Sequence, residues 1–189
     1  MICNSYTKLY SVCKNSSECE VCLADKKGNE MKYIAYVDGS YKELNGHKYY
    51  ASAAIIAPEG STSWSQMTKV SCDADLISMR NVAGEIMAVM LVMEHCLNSL
   101  NLRQGDEVVL NYDYDGIENW CKPMGAPGYW RCKNPVTQSY RNYMTTVVGP
   151  RFKVRFNHTP GHTGIEGNEI VDRLAKKVLE DKFREISAQ

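Results

Sequence analysis

The sequence has no excess of either charge: Lys and Arg total 22, Asp and Glu total 22, and the formal net charge is zero. Bulk attraction to a polyanion is thereby excluded. Any nucleic-acid site must be a local patch, or must recruit cations through carboxylates. No run approaches the roughly 18–20 apolar residues that a bilayer-spanning helix requires, so no membrane partner is expected. The start, MICNSYTKLYSVCK, lacks a basic segment followed by an apolar one. A secretory signal is therefore not expected, and the protein is read as cytoplasmic. No internal repeat or low-complexity tract is visible, which sets aside repeat architectures.

What is present is 189 residues, 44% hydrophobic and 23% charged. That composition fits one globular domain with some appended sequence, long enough to bury a core without staples. The eight cysteines are Cys3, Cys13, Cys19, Cys22, Cys72, Cys96, Cys121 and Cys132. In a cytoplasmic chain they read as thiols or a metal site rather than disulfides. Residues 1–30 hold four of them and end in the polar run Ala24–Glu30, so they are read as an appendage and linker before a domain at 31–186. A Zn²⁺ site at Cys3, Cys13, Cys19 and Cys22 would need a tetrahedron of thiolates. The spacing is unlike paired zinc knuckles, so ordinary thiols on a small hairpin compete with that reading.

After residue 30 the pattern becomes regular. Lys32–Val37 alternates and is rich in Tyr, Ile and Val, predicting a strand closed by Asp38-Gly39-Ser40. Tyr49–Ala57 predicts a second strand and Ser63–Val70 a weaker third. Asn81–Leu100 has the apolar spacing of a helix, and Val108–Tyr112 predicts a short strand running into Asp113. Asp115–Trp120 begins a helix that Lys122-Pro123 and Gly125–Gly128 interrupt. Asn134–Val147 is expected helical, with Tyr140, Tyr143, Met144 and Val147 on one face. Phe152–Phe156 is expected as a strand. Asn168–Glu185 is expected as a final helix with Ile170, Leu174, Ala175, Val178 and Phe183 inward. Three meander strands followed by alternating helices and strands predict an α/β fold. Its sheet should be mixed and five-stranded, antiparallel then parallel, with helices on both faces.

Four acids stand at strand ends or in the first turns of helices: Asp38, Glu85, Asp113 and Asp172. Adjacent parallel strands would set the two aspartates side by side, and helices packed on the sheet would deliver the other two. Converging carboxylates repel unless cations neutralise them. Hard oxygen ligands select Mg²⁺ or Mn²⁺, and a pair of such ions ~3.5–4 Å apart is a standard device for in-line phosphoryl transfer. Any one of these acids, taken alone, reads equally as a solvated surface residue.

Their neighbourhoods go further. YVDGSY (36–41), NVAGE (81–85), YDYDGIENW (112–120) and HTPGHTGIEGNEIVDRLAKK (158–177) resemble the type 1 ribonuclease H family, in family order, over about residues 32–180. YDYDGIENW looks most like variants found in some Gram-positive bacteria. The resemblance implies a ribonuclease H-like fold and an endonuclease acting on the RNA strand of RNA–DNA hybrids. It also implies two Mg²⁺ ions per site, with Mn²⁺ as a substitute, and products with 5′-phosphate and 3′-hydroxyl ends. On it, Asp38 bridges both ions, Asp113 binds the first, and Glu85 and Asp172 bind the second, with Glu85 close to the ribose 2′-OH. His162 matches a mobile histidine tied to product release or proton transfer; it also reads as a surface loop residue. A monomer is expected.

For substrate contacts, Gly39 leaves room for close backbone approach, and Ser40 is a further candidate. Asn81 is either a sugar or base contact or a helix N-cap. Lys122, Trp130, Arg131 and Lys133, with Tyr129, lie in KPMGAPGYWRCK, where some members carry a basic handle for the DNA strand. The same segment also reads as a loop whose Trp packs back onto the domain. Asp115 stands where the family often has glutamine; it cannot donate to a base and is an outside candidate for a metal ligand. The interval from Asp38 to Glu85 (85 − 38 = 47) is longer than in compact members and predicts an elongated second or third strand. Two other readings remain: a non-catalytic nucleic-acid-binding module on this fold, and a nuclease of this fold with another structured substrate.

Overall fold

The computed structural model describes residues 30–161 and 164–188. The four N-terminal cysteines, the proposed appendage up to residue 29, and His162 lie outside the described residues. Five strands form one sheet: β1 (Lys32–Leu44), β2 (His47–Pro58), β3 (Ser65–Ser71), β4 (Glu107–Tyr112) and β5 (Lys153–His158). Their order is β3-β2-β1-β4-β5. β1/β2 and β2/β3 pair antiparallel, β1/β4 and β4/β5 parallel. The helices are α1 (Asn81–Asn98), the short α2 (Gly116–Asn119), α3 (Pro135–Asn142) and α4 (Glu166–Ser187).

The first hairpin is long because β1 does not stop at Asp38-Gly39-Ser40. It runs 13 residues to Leu44, and the turn is Asn45-Gly46, both at positive φ (51° and 78°). Asn-Gly with two positive φ values matches the twist of a two-residue hairpin. Asp38 therefore sits inside a strand, paired with Ala53 of β2, rather than at a strand end. The extra length between Asp38 and Glu85 goes into this hairpin, since β2 has 12 residues and β3 only 7.

Strand β2 is buried on both faces from Tyr50 to Ala57, which explains an apolar run interrupted only by Ser52. Ala54 and Ile56 join the larger core, with Ile86, Val89, Val92 and Met93 of α1. Ala53 and Ile55 face Val171 and Ala175 of α4, and Ala51 packs with Leu179 and Phe183. Helices thus cover opposite faces, with small alanines letting both approach closely.

Two helical faces differ from the periodic expectation. α3 passes into a π-helical turn at Tyr143–Val148, whose wider spacing rotates the inward position by one residue. Val148 is buried, and Val147 is 44% exposed. In α4 the buried apolar side chains are Val171, Ala175, Leu179 and Phe183, while Ile170, Leu174 and Val178 pack at the flanks.

Candidate active site

The parallel pairing of β1 with β4 fixes the first two acids. Tyr36 is opposite Asn111, an offset of 75 (111 − 36), and the same offset sets Asp38 beside Asp113 (38 + 75). Amide side chains lock this end of the sheet. Asn111 Nδ2 donates to the Ala35 carbonyl at 2.9 Å, and Asn157 Nδ2 donates to Asn111 Oδ1 at 2.5 Å. The Thr159 N–H donates to the Tyr112 carbonyl at 2.7 Å. His158 Nε2 lies 3.1 Å from the Asp113 carbonyl oxygen, which it meets as a donor.

Glu85 arrives from α1, because that helix presses unusually close to β1. A Cβ on Gly39 would stand 2.3 Å from Glu85 N, and one on Gly84 would stand 2.3 Å from the Ala51 carbonyl oxygen. Only glycine is accommodated at either place. The close approach that Gly39 permits is therefore that of α1. Its N–H donates to Asp38 Oδ1 at 2.6 Å and to Glu85 Oε1 at 3.0 Å, tying the two acids together. Among the described residues, Asp38, Glu85 and Asp113 are the group that can hold a metal ion, with ligand oxygens all within 4.8 Å of one another.

These charges are poorly met by the protein. Glu85 is only 3% exposed, and its Oε2 has no hydrogen-bond partner. Burial, then the charges of Asp38 and Asp113, push its pKa well above the usual carboxylate range. Burial is also the main cause that raises Asp38 to about 6; the Asp113 and Asp172 charges add to it, and hydrogen bonds with Glu85 and Gly39 oppose it. With no cation the pair retains a proton at moderate pH.

The fourth predicted acid is placed differently. Asp172 of α4 shares a cavity of about 340 Å³ with Asp38, Glu85 and Asp113, but it is not in the 4.8 Å group. Lys176, one turn on, sits 2.7 Å from both Asp172 oxygens. An ammonium thus already occupies this carboxylate. The i,i+4 spacing of acid and lysine was a readable signal for it.

The cavity is also lined by Gly39, Asn81, Tyr114, Gly161, Asn168, Glu169 and Lys176. Asn168, 5% exposed, leaves its Oδ1 unpartnered there. Tyr114, Asn168, Glu169 and Lys176 had no site role in the sequence reading, although all lie in the quoted segments. Arg80, not Asn81, occupies the α1 N-cap, at φ 56° and without a side-chain cap bond. Asn81 is therefore the first helical residue, and it lines the cavity.

Ser40 pairs with Ala51 and is not among the lining residues. Lys122 is held by Asn119 Oδ1 at 2.7 Å and Glu118 at 3.5 Å, so its ammonium is engaged by side chains of α2. Arg131 and Lys133 are exposed. Trp130 packs back against Tyr114 and Trp120 yet stays 39% exposed, combining features of both readings of its loop. Asp115 is exposed, 3.5 Å from His158, and lies outside the group of three acids.

This arrangement of a mixed sheet with acids where β1 and β4 run side by side is that of a known fold. A ribonuclease H1 from Halobacterium salinarum NRC-1 superposes with a TM-score of 0.59 at 18% identity, covering 79% of this chain and 98% of its own. The N-terminal RNase H domain of a Mycobacterium tuberculosis protein, solved as a fusion with maltose-binding protein, gives 0.63 at 13% identity, covering 83% and 99%. LC11-RNase H1, isolated from compost and solved in complex with an RNA/DNA hybrid, gives 0.54 at 17%, covering 78% and 99%. No curated protein matches in sequence. The RNase H family model matches residues 30–180, and the chain belongs to the ribonuclease H family.

Proposed function

We propose that this protein is an endonuclease that hydrolyses the RNA strand of RNA–DNA hybrids with two divalent cations, leaving 5′-phosphate and 3′-hydroxyl ends. The observation that carries this reading is the group formed by Asp38, Glu85 and Asp113, with Glu85 Oε2 buried and unpartnered. The donor set is all carboxylate oxygen, which suits Mg²⁺ or Mn²⁺ rather than a softer metal. The residues fit the ions: Asp38, Glu85 and Asp113 would hold them, and Asp172, which lines the same cavity, would join once Lys176 yields it.

When bound, the cations supply Lewis-acid stabilisation of charge developing on the phosphoryl oxygens. The chain's own contribution is placement. Strand register fixes Asp38 against Asp113, and the Gly39 N–H aims both Asp38 and Glu85. Asn81, at the cavity wall, would read the sugar edge of an A-like duplex, where the 2′-OH distinguishes RNA. We assign the hydrolytic domain to residues 31–186. The hybrid complex of LC11-RNase H1 supports the substrate class. A labelled RNA–DNA hybrid incubated with and without Mg²⁺ tests the proposal: the RNA strand is cut only with the metal.

A further inference from the structure

The segment YDYDGIENW supplies Asp113 to the metal centre, but its aromatic residues and Gly116 have no part in that chemistry. Tyr114 lines the cavity beside Asp38, Glu85 and Asp113. Its ring centroid lies 5.7 Å from that of Trp120 and 6.2 Å from that of Trp130. Trp120 also meets Trp130 at 6.2 Å and the buried Tyr140 at 6.3 Å. Tyr140 is anchored by donating its hydroxyl to the Ile117 carbonyl at 2.9 Å.

Gly116 completes the buttress. A Cβ there would stand 2.3 Å from Tyr114 Cε1 and 2.8 Å from Trp120 Cη2, so α2 closes on these rings only without a side chain. A ring packed against two tryptophans and Gly116, and lining the cavity, is a fixed part of its wall.

We infer that Tyr114, extended by Trp130, is a substrate-positioning residue whose ring packs against a sugar of the hybrid next to the metal-binding acids. This rests on the proposed hybrid substrate and names a contact beyond it. In a duplex the bases remain stacked and paired, so a rigid wall outside the helix meets sugars rather than base faces. An A-like duplex displays its sugars in a wide, shallow minor groove.

The test is the affinity of an end-labelled RNA–DNA hybrid by fluorescence anisotropy in EDTA, followed by cleavage kinetics in Mg²⁺. Tyr114→Ala should bind about fivefold more weakly, the equivalent of a few tens of Å² of lost apolar contact. The loss should appear in KM more than in kcat, and Tyr114→Phe should recover most of it. Should Tyr114→Ala fold poorly, the wild type answers the same question: hybrid should protect the exposed Trp130 from acrylamide quenching. Wild-type affinity in Tyr114→Ala, an equal loss in Tyr114→Phe, or unprotected tryptophan at saturating hybrid would each overturn the inference. A wild-type protein that neither binds nor cleaves hybrid would instead defeat the substrate reading, and this contact with it.

Discussion

The two ends of the β1–β4 strand pair hold buried carboxylates under opposite conditions. At one end Asp106, 6% exposed, accepts from the backbone N–H groups of Met31 and Arg103, each at 2.9 Å, one on each oxygen. It joins the start of β1 to the loop before β4, and its hydrogen bonds compensate its burial. At the other end Glu85 is as deeply buried but has one oxygen without a partner, and Asp38 and Asp113 crowd against it. The first acid closes the sheet. The second set carries charge that the protein alone does not satisfy, as expected where a ligand completes the structure.

The sharpest way to break this contrast is to neutralise one acid at each end. Asp113→Asn should reduce Mg²⁺-dependent cleavage to background while hybrid binding survives, because shape is kept and ligand charge removed. Its melting temperature should not fall, since a repulsive neighbour of Asp38 and Glu85 is gone. Asp106→Ala should do the reverse. Two part-buried N–H groups lose a charged acceptor at about 1–2 kcal/mol each, so stability should drop by about 2–4 kcal/mol, with turnover per folded molecule retained. Chemical denaturation of both variants measures this.

Titration sharpens the contrast further. Asp38 and Glu85 have folded pKa values above their unfolded ones, so their neutral forms suit the metal-free fold. For Asp38 that stabilisation is fully present below its ordinary value of 3.8 and is lost as pH rises through about 6; the raised Glu85 pKa acts in the same direction. Melting in EDTA should therefore show stability falling over this range. The slope should be shallower in Asp38→Asn, and saturating Mg²⁺ should oppose it, because the cation binds the ionised acids.

A smaller effect is expected at the cavity's far side. Lys176→Met frees Asp172 from its ammonium, and the Mg²⁺ concentration for half-maximal activity should fall about two- to fivefold, the scale of a partly exposed ion pair. Smallest of all, Asp115→Asn should keep most of the cleavage rate, since Asp115 faces solvent and His158 rather than the metal centre. Exchanged behaviour between Asp113→Asn and Asp115→Asn would mean that the wrong acid of YDYDG has been assigned to the site.

Much of the fold was legible because period-two and helical patterns mark strands and helices locally. The pairing of Asp38 with Asp113 followed from two parallel strands each carrying an acid. Other features depend on tertiary contacts. β1 continues past Asp38-Gly39-Ser40 because Gly39 fits under α1, which local turn propensity does not reveal. The π-helical turn moves burial from Val147 to Val148, and no side-chain period announces it. Asn81 looked like a cap, but the chain enters α1 through Arg80 at positive φ. Tyr114 was passed over because its meaning lies in Trp120 and Trp130, 6 and 16 positions away.

The central claim is that the Asp38–Glu85–Asp113 group holds cations that cut RNA in a hybrid. The most direct measurement follows both strands of an RNA–DNA hybrid, each separately labelled, with Mg²⁺ and with EDTA, for the wild type and Asp113→Asn. The account predicts scission of the RNA strand alone, only with Mg²⁺ and only by the wild type, with 5′-phosphate ends. Scission in EDTA, scission of the DNA strand, or hybrid binding without any cleavage by the wild type would contradict it.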